Sequence, residues 1–332
     1  MYNEEAGLAD LFRGLEPIIQ DIRNEFGFRV EVVINDNSSV DGTFAGLRAI
    51  AEQHDPALYD LRIFRFSKNI GFQNSILVGY RKARGDAVIQ IDADLQDPPE
   101  IMLEFLRKWL EGYKVVYGVR AKRQEGIVIS FLRRMFYRLI DKISEDKLPH
   151  DSGDFRLVDR ALVDIVCQMQ DFTPYLRGLI ASLGCRQAGI SYDRAARVTG
   201  KSKFRLTDLL RLSFDGIANH STYPLIISSY FALLIALGML VLVFYYLYSW
   251  LAMDTPIAAG FMTQTLLQLG GVCVLSLFFA IQGAYLSRIY SQVKERPLAI
   301  VQDAIIIEAR PEGGELLETE NSIEVIWHGN ER

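Results

Sequence analysis

The run from Asp86 to Glu100, DAVIQIDADLQDPPE, concentrates the side chains best suited to chemistry. A β-prone stretch, Ala87-Val88-Ile89-Gln90-Ile91, stops abruptly at Asp92-Ala93-Asp94, with Gln96 and Asp97 behind and Pro98-Pro99 closing the segment. This is the pattern of a strand running into a loop that carries carboxylates. At the carboxyl end of a strand in an open α/β sheet, such side chains face a crevice rather than a core. Asp92 and Asp94, one residue apart, offer hard oxygen ligands to Mg²⁺ or Mn²⁺, and such an ion also takes ligands from substrate phosphates. An isolated Asp-x-Asp is more often an ordinary acidic turn, so the remaining elements must decide between the two.

Those elements alternate. Asn3 to Phe26 has Leu8, Leu11, Phe12, Leu15, Ile18, Ile19 and Ile22 at helical spacing, and Arg29 to Asn35 reads as a strand ending at Asp36-Asn37-Ser38-Ser39. Either Asp41 or Thr43 is placed to cap the helix that follows. Leu61 to Phe66 is a further strand, followed by Ser67-Lys68-Asn69-Ile70-Gly71-Phe72 and a helix to Arg84. Beyond the acidic loop come a helix from Pro99 to Glu111 and a strand from Lys114 to Val119, which ends at Arg120. The alternation predicts an α/β fold with a mostly parallel, doubly wound sheet. Asp36, Asn69, Asp92, Asp94 and Arg120 are then expected beyond strand ends on one edge. Carboxylates and a guanidinium together there suit a metal-bridged diphosphate and a second phosphate.

Half of the 332 residues are hydrophobic, and the formal net charge of −5 leaves no basic excess for a nucleic-acid backbone. The apolar excess is concentrated in residues 224–250 and 261–287, both free of Lys, Arg, Asp and Glu and both longer than the ~20 residues that cross a bilayer. They read as two transmembrane helices. Lys201, Lys203, Arg205 and Arg211 precede the first, and Arg288, Lys294 and Arg296 follow the second. The connecting loop has no basic residue, so both flanks are expected in the cytoplasm, as in a multi-pass protein of the inner membrane. Gly126 to Ser144, with Arg133, Arg134, Arg138 and Lys142 interleaved among apolar residues, suits a membrane surface, as does the juxtamembrane segment 201–223. No cleavable signal peptide is visible, so insertion is expected to depend on the spans. Cys167, Cys185 and Cys273 are too dispersed for a disulfide framework or a zinc site.

Tyr2-Asn3-Glu4-Glu5, DNSSVDGT from Asp36, SKNIGFQNSILVGY from Ser67, DADLQDPPE from Asp92 and GVR from Gly118 together resemble the successive motifs of family 2 glycosyltransferases. DFRLVDR from Asp154, GKSKF from Gly200 and the two spans resemble the polyisoprenyl-phosphate branch of that family. The resemblance implies a GT-A catalytic domain over residues 1–200, a cytoplasmic tail over 288–332, a nucleotide-sugar donor, a divalent metal and a polyprenyl phosphate acceptor. It implies Tyr2, Asn3, Glu4, Asp36, Asn69 and Asp92 as donor-binding residues, and Asp92, Asp94 and Gln96 as metal ligands. It further implies Arg120, Arg134 and Lys203 at the acceptor phosphate, with Asp154 orienting the acceptor or acting as a base. Relatives carry an apolar first strand ending in Pro-x-Tyr-Asn-Glu, whereas here the Tyr is residue 2, so the central sheet is expected to lack a strand. A second departure is Asn37, where many relatives have Asp; its amide is expected still to reach base or ribose.

The expected reaction is inverting transfer of glucose from UDP-glucose to undecaprenyl phosphate. A processive polysaccharide synthase would share the donor site but is expected to need more membrane helices than two. A non-catalytic membrane scaffold is the third reading, and the intact strand-end carboxylates and arginines weigh against it. Small residues such as Gly270 and Gly271 in the second span are suited to packing between protomers of a homo-oligomer.

Overall fold

A computed structural model describes residues 1–120, 152–169, 171, 174–193, 260–294, 296–308 and 324–327, with scattered positions between 230 and 248. The described residues fall into two compact units, one drawn from 1–141, 146–205 and 295–332, the other from 206–294.

The first unit opens with α1 (Leu8–Phe26), whose seven apolar residues at helical spacing are all buried. Gly27, at φ 69°, ends it by returning its N–H to the Arg23 carbonyl, a left-handed conformation that favours glycine. Then follow β1 (Glu31–Asp36), α2 (Thr43–Gln53), β2 (Asp60–Phe66), α3 (Phe72–Lys82), β3 (Ala87–Gln90), α4 (Ile101–Leu110) and β4 (Val115–Arg120). The expected order is therefore present, with α1 beginning at Leu8 rather than at the expected Asn3 and most other ends shifted by a residue or two. Beyond it lie β5 (Ser152–Asp159), α5 (Arg160–Gln168), α6 (Leu176–Ser182) and β6 (Gln187–Tyr192).

The strands form two four-stranded sheets, ordered β1-β2-β7-β8 and β3-β5-β4-β6, where β7 is Ala299–Ile307 and β8 is Glu324–Ile326. This corrects the expectation of a mostly parallel sheet. Pairs β1/β2 and β4/β6 are parallel, but β5 runs antiparallel between β3 and β4, and β7 antiparallel to β2. Local apolar patterning fixes that a segment is extended and says nothing of its direction. It also corrects the reading of 288–332 as a tail. Val301 and Ile307 of β7 and Ile326 of β8 are core residues.

Helices cover both faces. Leu11 and Ile18 of α1, Leu47 of α2 and Phe105 of α4 share one core with Leu61, Ile63, Phe155 and Leu157 of the sheets. On the other face Leu77 of α3, Val163 of α5 and Ile180 of α6 pack against Phe64, Phe66, Val115 and Val301. Strands β1 and β3 are the end strands of their sheets, tied at their starts by Glu31, whose Oε1 accepts from Gly85 N at 2.9 Å. At the far end of β1 the first residue pairs alongside. The Met1 ammonium donates to Asn35 O at 2.6 Å and the Met1 carbonyl accepts from Asn37 N at 2.9 Å.

The second unit contains α7 (Phe261–Val293), a single 33-residue helix that runs past the expected boundary at residue 287. Within its stretch Leu267–Val293 an 18-residue window reaches a mean hydropathy of 1.8, and the helix is long and apolar enough to cross a membrane. Most of the expected span at 224–250 lies outside the described residues, although positions such as Tyr230, Leu234 and Phe244 are helical.

Candidate active site

Strand ends gather the site. Asp36 is the last residue of β1, Arg120 of β4 and Tyr192 of β6, and Arg120 stands opposite Tyr192 in the parallel register. Asp92 and Asp94 lie just past β3. The Met1 ammonium, driven below its ordinary pKa by burial, is opposed in that shift by the charges of Asp36, Glu4 and Asp92. Arg120 Nη2 stands 3.4 Å from Asp97 Oδ2, so the guanidinium meets the acidic loop at the strand ends. Burial pulls the Arg120 pKa down, and Tyr192, Asp97 and Asp92 outweigh it, leaving the guanidinium firmly protonated.

The acidic loop has a defined shape. Leu95 N turns back to Asp92 O at 3.4 Å and Gln96 N to Asp94 Oδ1 at 3.2 Å, with Leu95 at a φ of 47°. Leu95 is held there by α1, where a Cβ on Gly14 would stand 2.8 Å from Leu95 Cδ1. Among the described residues no three His, Cys, Asp or Glu side chains are grouped to hold a metal. Two half-buried carboxylates and an amide nonetheless fit an ion such as Mg²⁺ or Mn²⁺, which keeps waters and substrate phosphates among its ligands.

Around Asp36 the chain is stitched. Its side chain is fully buried, with Oδ1 accepting from Ser39 N at 3.1 Å and Oδ2 3.4 Å from Arg65 Nε. Asn3 N donates to Ser39 Oγ at 3.0 Å, Asn3 Oδ1 accepts from Val40 N at 3.0 Å, and Glu4 N donates to Thr43 Oγ1 at 2.9 Å. The Asn3 carbonyl oxygen is thus spent on the loop, while Tyr2 is exposed. Asn69 is exposed too, and its Oδ1 accepts from Gly71 N at 2.9 Å in a local turn. Asn37 is buried, accepting from Ile70 N at 2.9 Å and donating to Gly71 O at 3.4 Å. Both ends of its amide pin one loop to another.

Asp154, near the start of β5, stands 3.2 Å from Arg177 Nη2 and 3.8 Å from Arg156 Nη2. Arg156 is buried and its guanidinium is pulled below its ordinary pKa by that burial, with Tyr80 and Asp154 opposing. Arg134 and Lys203 lie outside the described residues.

Sequence reasoning missed Asp97, Tyr192, Arg156 and Arg65. Asp97 stood inside the acidic motif; Tyr192 and the two arginines sit in ordinary strand sequence, and only the pairing of β5 with β3 and β4 and of β6 with β4 brings Arg156 and Tyr192 to the crevice.

Three relatives align over most of this length. The chain is 36% identical over 309 residues to the uncharacterized glycosyltransferase YkcC of Bacillus subtilis (strain 168), covering 93% of each. It is 36% identical over 314 residues to the uncharacterized glycosyltransferase sll0501 of Synechocystis sp., covering 94% of this chain and 95% of that one. It is 31% identical over 310 residues to the SfII prophage-derived bactoprenol glucosyl transferase of Shigella flexneri, covering 91% and 95% respectively. Residues 1–166, which carry Asp36, the acidic loop and Arg120, match the family described as glycosyl transferase family 2. With that match and those full-length relatives, the chain belongs to glycosyl transferase family 2.

Proposed function

We propose that this family 2 glycosyltransferase moves glucose from UDP-glucose to a polyprenyl phosphate, with inversion at the anomeric carbon. The observation that carries this reading is the meeting of Arg120, at the end of β4, with Asp97 of the acidic loop that follows β3, at 3.4 Å. The bactoprenol acceptor in the name of the Shigella relative and the apolar helix α7 support the lipid side.

An acceptor phosphate monoester with a second pKa near ~6 is already largely ionised at neutral pH, so no strong base is required to activate it. Its oxygen attacks the anomeric carbon, the bond from that carbon to the diphosphate breaks, and UDP leaves with the electron pair. Arg120 holds the acceptor phosphate in line, a task suited to a guanidinium that stays protonated. Asp36 and Glu4 shape the donor end of the crevice. A divalent ion held by Asp92, Asp94 and Gln96 would offset charge on the departing diphosphate. The basic flanks of the apolar segments support a catalytic unit on the cytoplasmic side of the membrane, and the small residues of α7 are suited to a homo-oligomer.

The test is incubation of membranes carrying the chain with radiolabelled UDP-glucose, undecaprenyl phosphate and Mg²⁺. Lipid-extractable label is expected; label in polymer, or none in either fraction, overturns the reading. Asp94→Asn is expected to lower transfer by at least ~100-fold, and a chelator to abolish it until Mg²⁺ or Mn²⁺ is restored.

A further inference from the structure

Asp97 is an aspartate with its side chain fully out of solvent, three residues beyond Asp94, and no role in donor, metal or acceptor binding has yet accounted for it. Its two oxygens point to two strands. Oδ1 accepts from the Tyr192 hydroxyl at 2.5 Å, and Oδ2 stands 3.4 Å from Arg120 Nη2. Tyr192 and Arg120 are themselves partners in the β4/β6 register, each the last residue of its strand. The three side chains therefore close a triangle at the crevice edge.

Two glycines make room for it. A Cβ on Gly118 would fall 2.4 Å from Tyr192 Cε1, and one on Gly153 would fall 2.9 Å from Arg120 Nη2. One glycine thus lets the phenol lie against β4, and the other lets β5 approach the guanidinium edge-on. The Arg120 Nε is buried and makes no hydrogen bond of its own among the described residues, so the orientation of the group rests on its Nη atoms and on what they meet. Burial pushes the Tyr192 phenol up to about 12, with the Asp97 carboxylate adding to the shift, so the hydroxyl remains a donor throughout the working pH range.

We propose that Asp97 and Tyr192 are positioning residues, which hold the Arg120 guanidinium at the angle needed to receive the acceptor phosphate. This rests on the acceptor reading above. Asp97 does not meet the substrate; it acts through Arg120. Tyr192 locks Asp97 in place, so that the carboxylate orients the guanidinium without swinging toward the metal-binding carboxylates. The chemistry recognised is that of a phosphate monoester, whose oxygens match the fork of Nη donors.

The experiment is a double-mutant cycle on the full chain in membranes, with undecaprenyl phosphate and UDP-glucose varied separately. Tyr192→Phe keeps the ring and removes only the hydroxyl. It is expected to raise the KM for the lipid phosphate by about 10-fold, the size of one lost charge-assisted hydrogen bond, while the KM for UDP-glucose and the unfolding temperature stay near wild type. Because the hydroxyl acts through Arg120, Tyr192→Phe combined with Arg120→Lys is expected to be no worse than Arg120→Lys alone. Asp97→Asn is expected to shift the same KM, and Asp97→Glu to restore part of it. Fully additive losses, equal effects on both substrates, or a falling unfolding temperature with no change in acceptor KM would each overturn the positioning role. A wild-type chain that transfers to no polyprenyl phosphate removes the acceptor reading itself, and the assignment with it.

Discussion

Arg65 Nε stands 3.4 Å from the Oδ2 of Asp36, a carboxylate with no solvent exposure, while the same guanidinium lies 4.7 Å above the Phe44 ring. Asp303 of β7 reaches that arginine from the other side at 4.0 Å. The buried Asp36 carboxylate is therefore balanced by a side chain that the C-terminal strand helps to hold.

Removing that balance leaves a buried charge without its main partner. Arg65→Ala is expected to destabilise the catalytic unit by about 2 kcal/mol, below the usual cost of a fully buried pair because Arg65 is partly exposed. Thermal unfolding in detergent measures the loss. The KM for the nucleotide sugar should rise with it, since the loop at Asp36 loosens.

Asn37 donates to a carbonyl and accepts from an amide at once, so an isosteric acid is wrong for it. Asn37→Asp sets a second acceptor against Gly71 O and is expected to cost about 1 kcal/mol. Faster hydrogen exchange at the Ile70 amide would report the same change, and unchanged exchange would contradict it.

Gly118 leaves no room for a methyl group beside Tyr192. Gly118→Ala is expected to cost about 2 kcal/mol through forced movement of the ring. Since the ring carries the hydroxyl that meets Asp97, transfer should fall even where the protein remains folded, and assays at a temperature well below unfolding separate the two effects.

Asp159 contributes to acid sensitivity. Burial pushes its carboxyl up, but hydrogen bonds from Lys114 Nζ at 2.8 Å, Trp109 Nε1 at 2.8 Å and Ala161 N at 3.1 Å outweigh it and hold it below the ordinary value of 3.8. On acidification the unfolded chain takes up the proton first, so this contribution is complete above pH about 4 and is lost as pH falls through the depressed folded value. Asp159→Asn should therefore be less stable at pH 7 and should converge on wild type near pH 2, as read from unfolding temperature against pH.

Much of this was legible along the chain because its signals are local. Seven apolar positions of α1 at helical spacing are all buried, and the strands ending at Asp36 and Arg120 lie where alternation put them. Asp92 and Asp94 stood out because two acids after an apolar run are locally odd. Direction and partnership are nonlocal. Nothing in SGDFRLVD announces that β5 slips antiparallel between β3 and β4, and so nothing announced Arg156 as a buried cation beneath the site. Asn37 is a related case: its type suits a ligand contact, and only the fold shows its amide bonded between two loops.

Strands β7 and β8 follow the long apolar helix in sequence yet complete the sheet that begins with β1. Val301 is wholly buried there, and Lys82 of α3 meets Glu324 of β8. A water-soluble version of the enzyme therefore cannot be obtained by stopping translation ahead of the anchor, because that discards half of one sheet. The workable surgery is excision: cut out the greasy interior segment, splice a short polar linker across the wound, and keep the last stretch of chain.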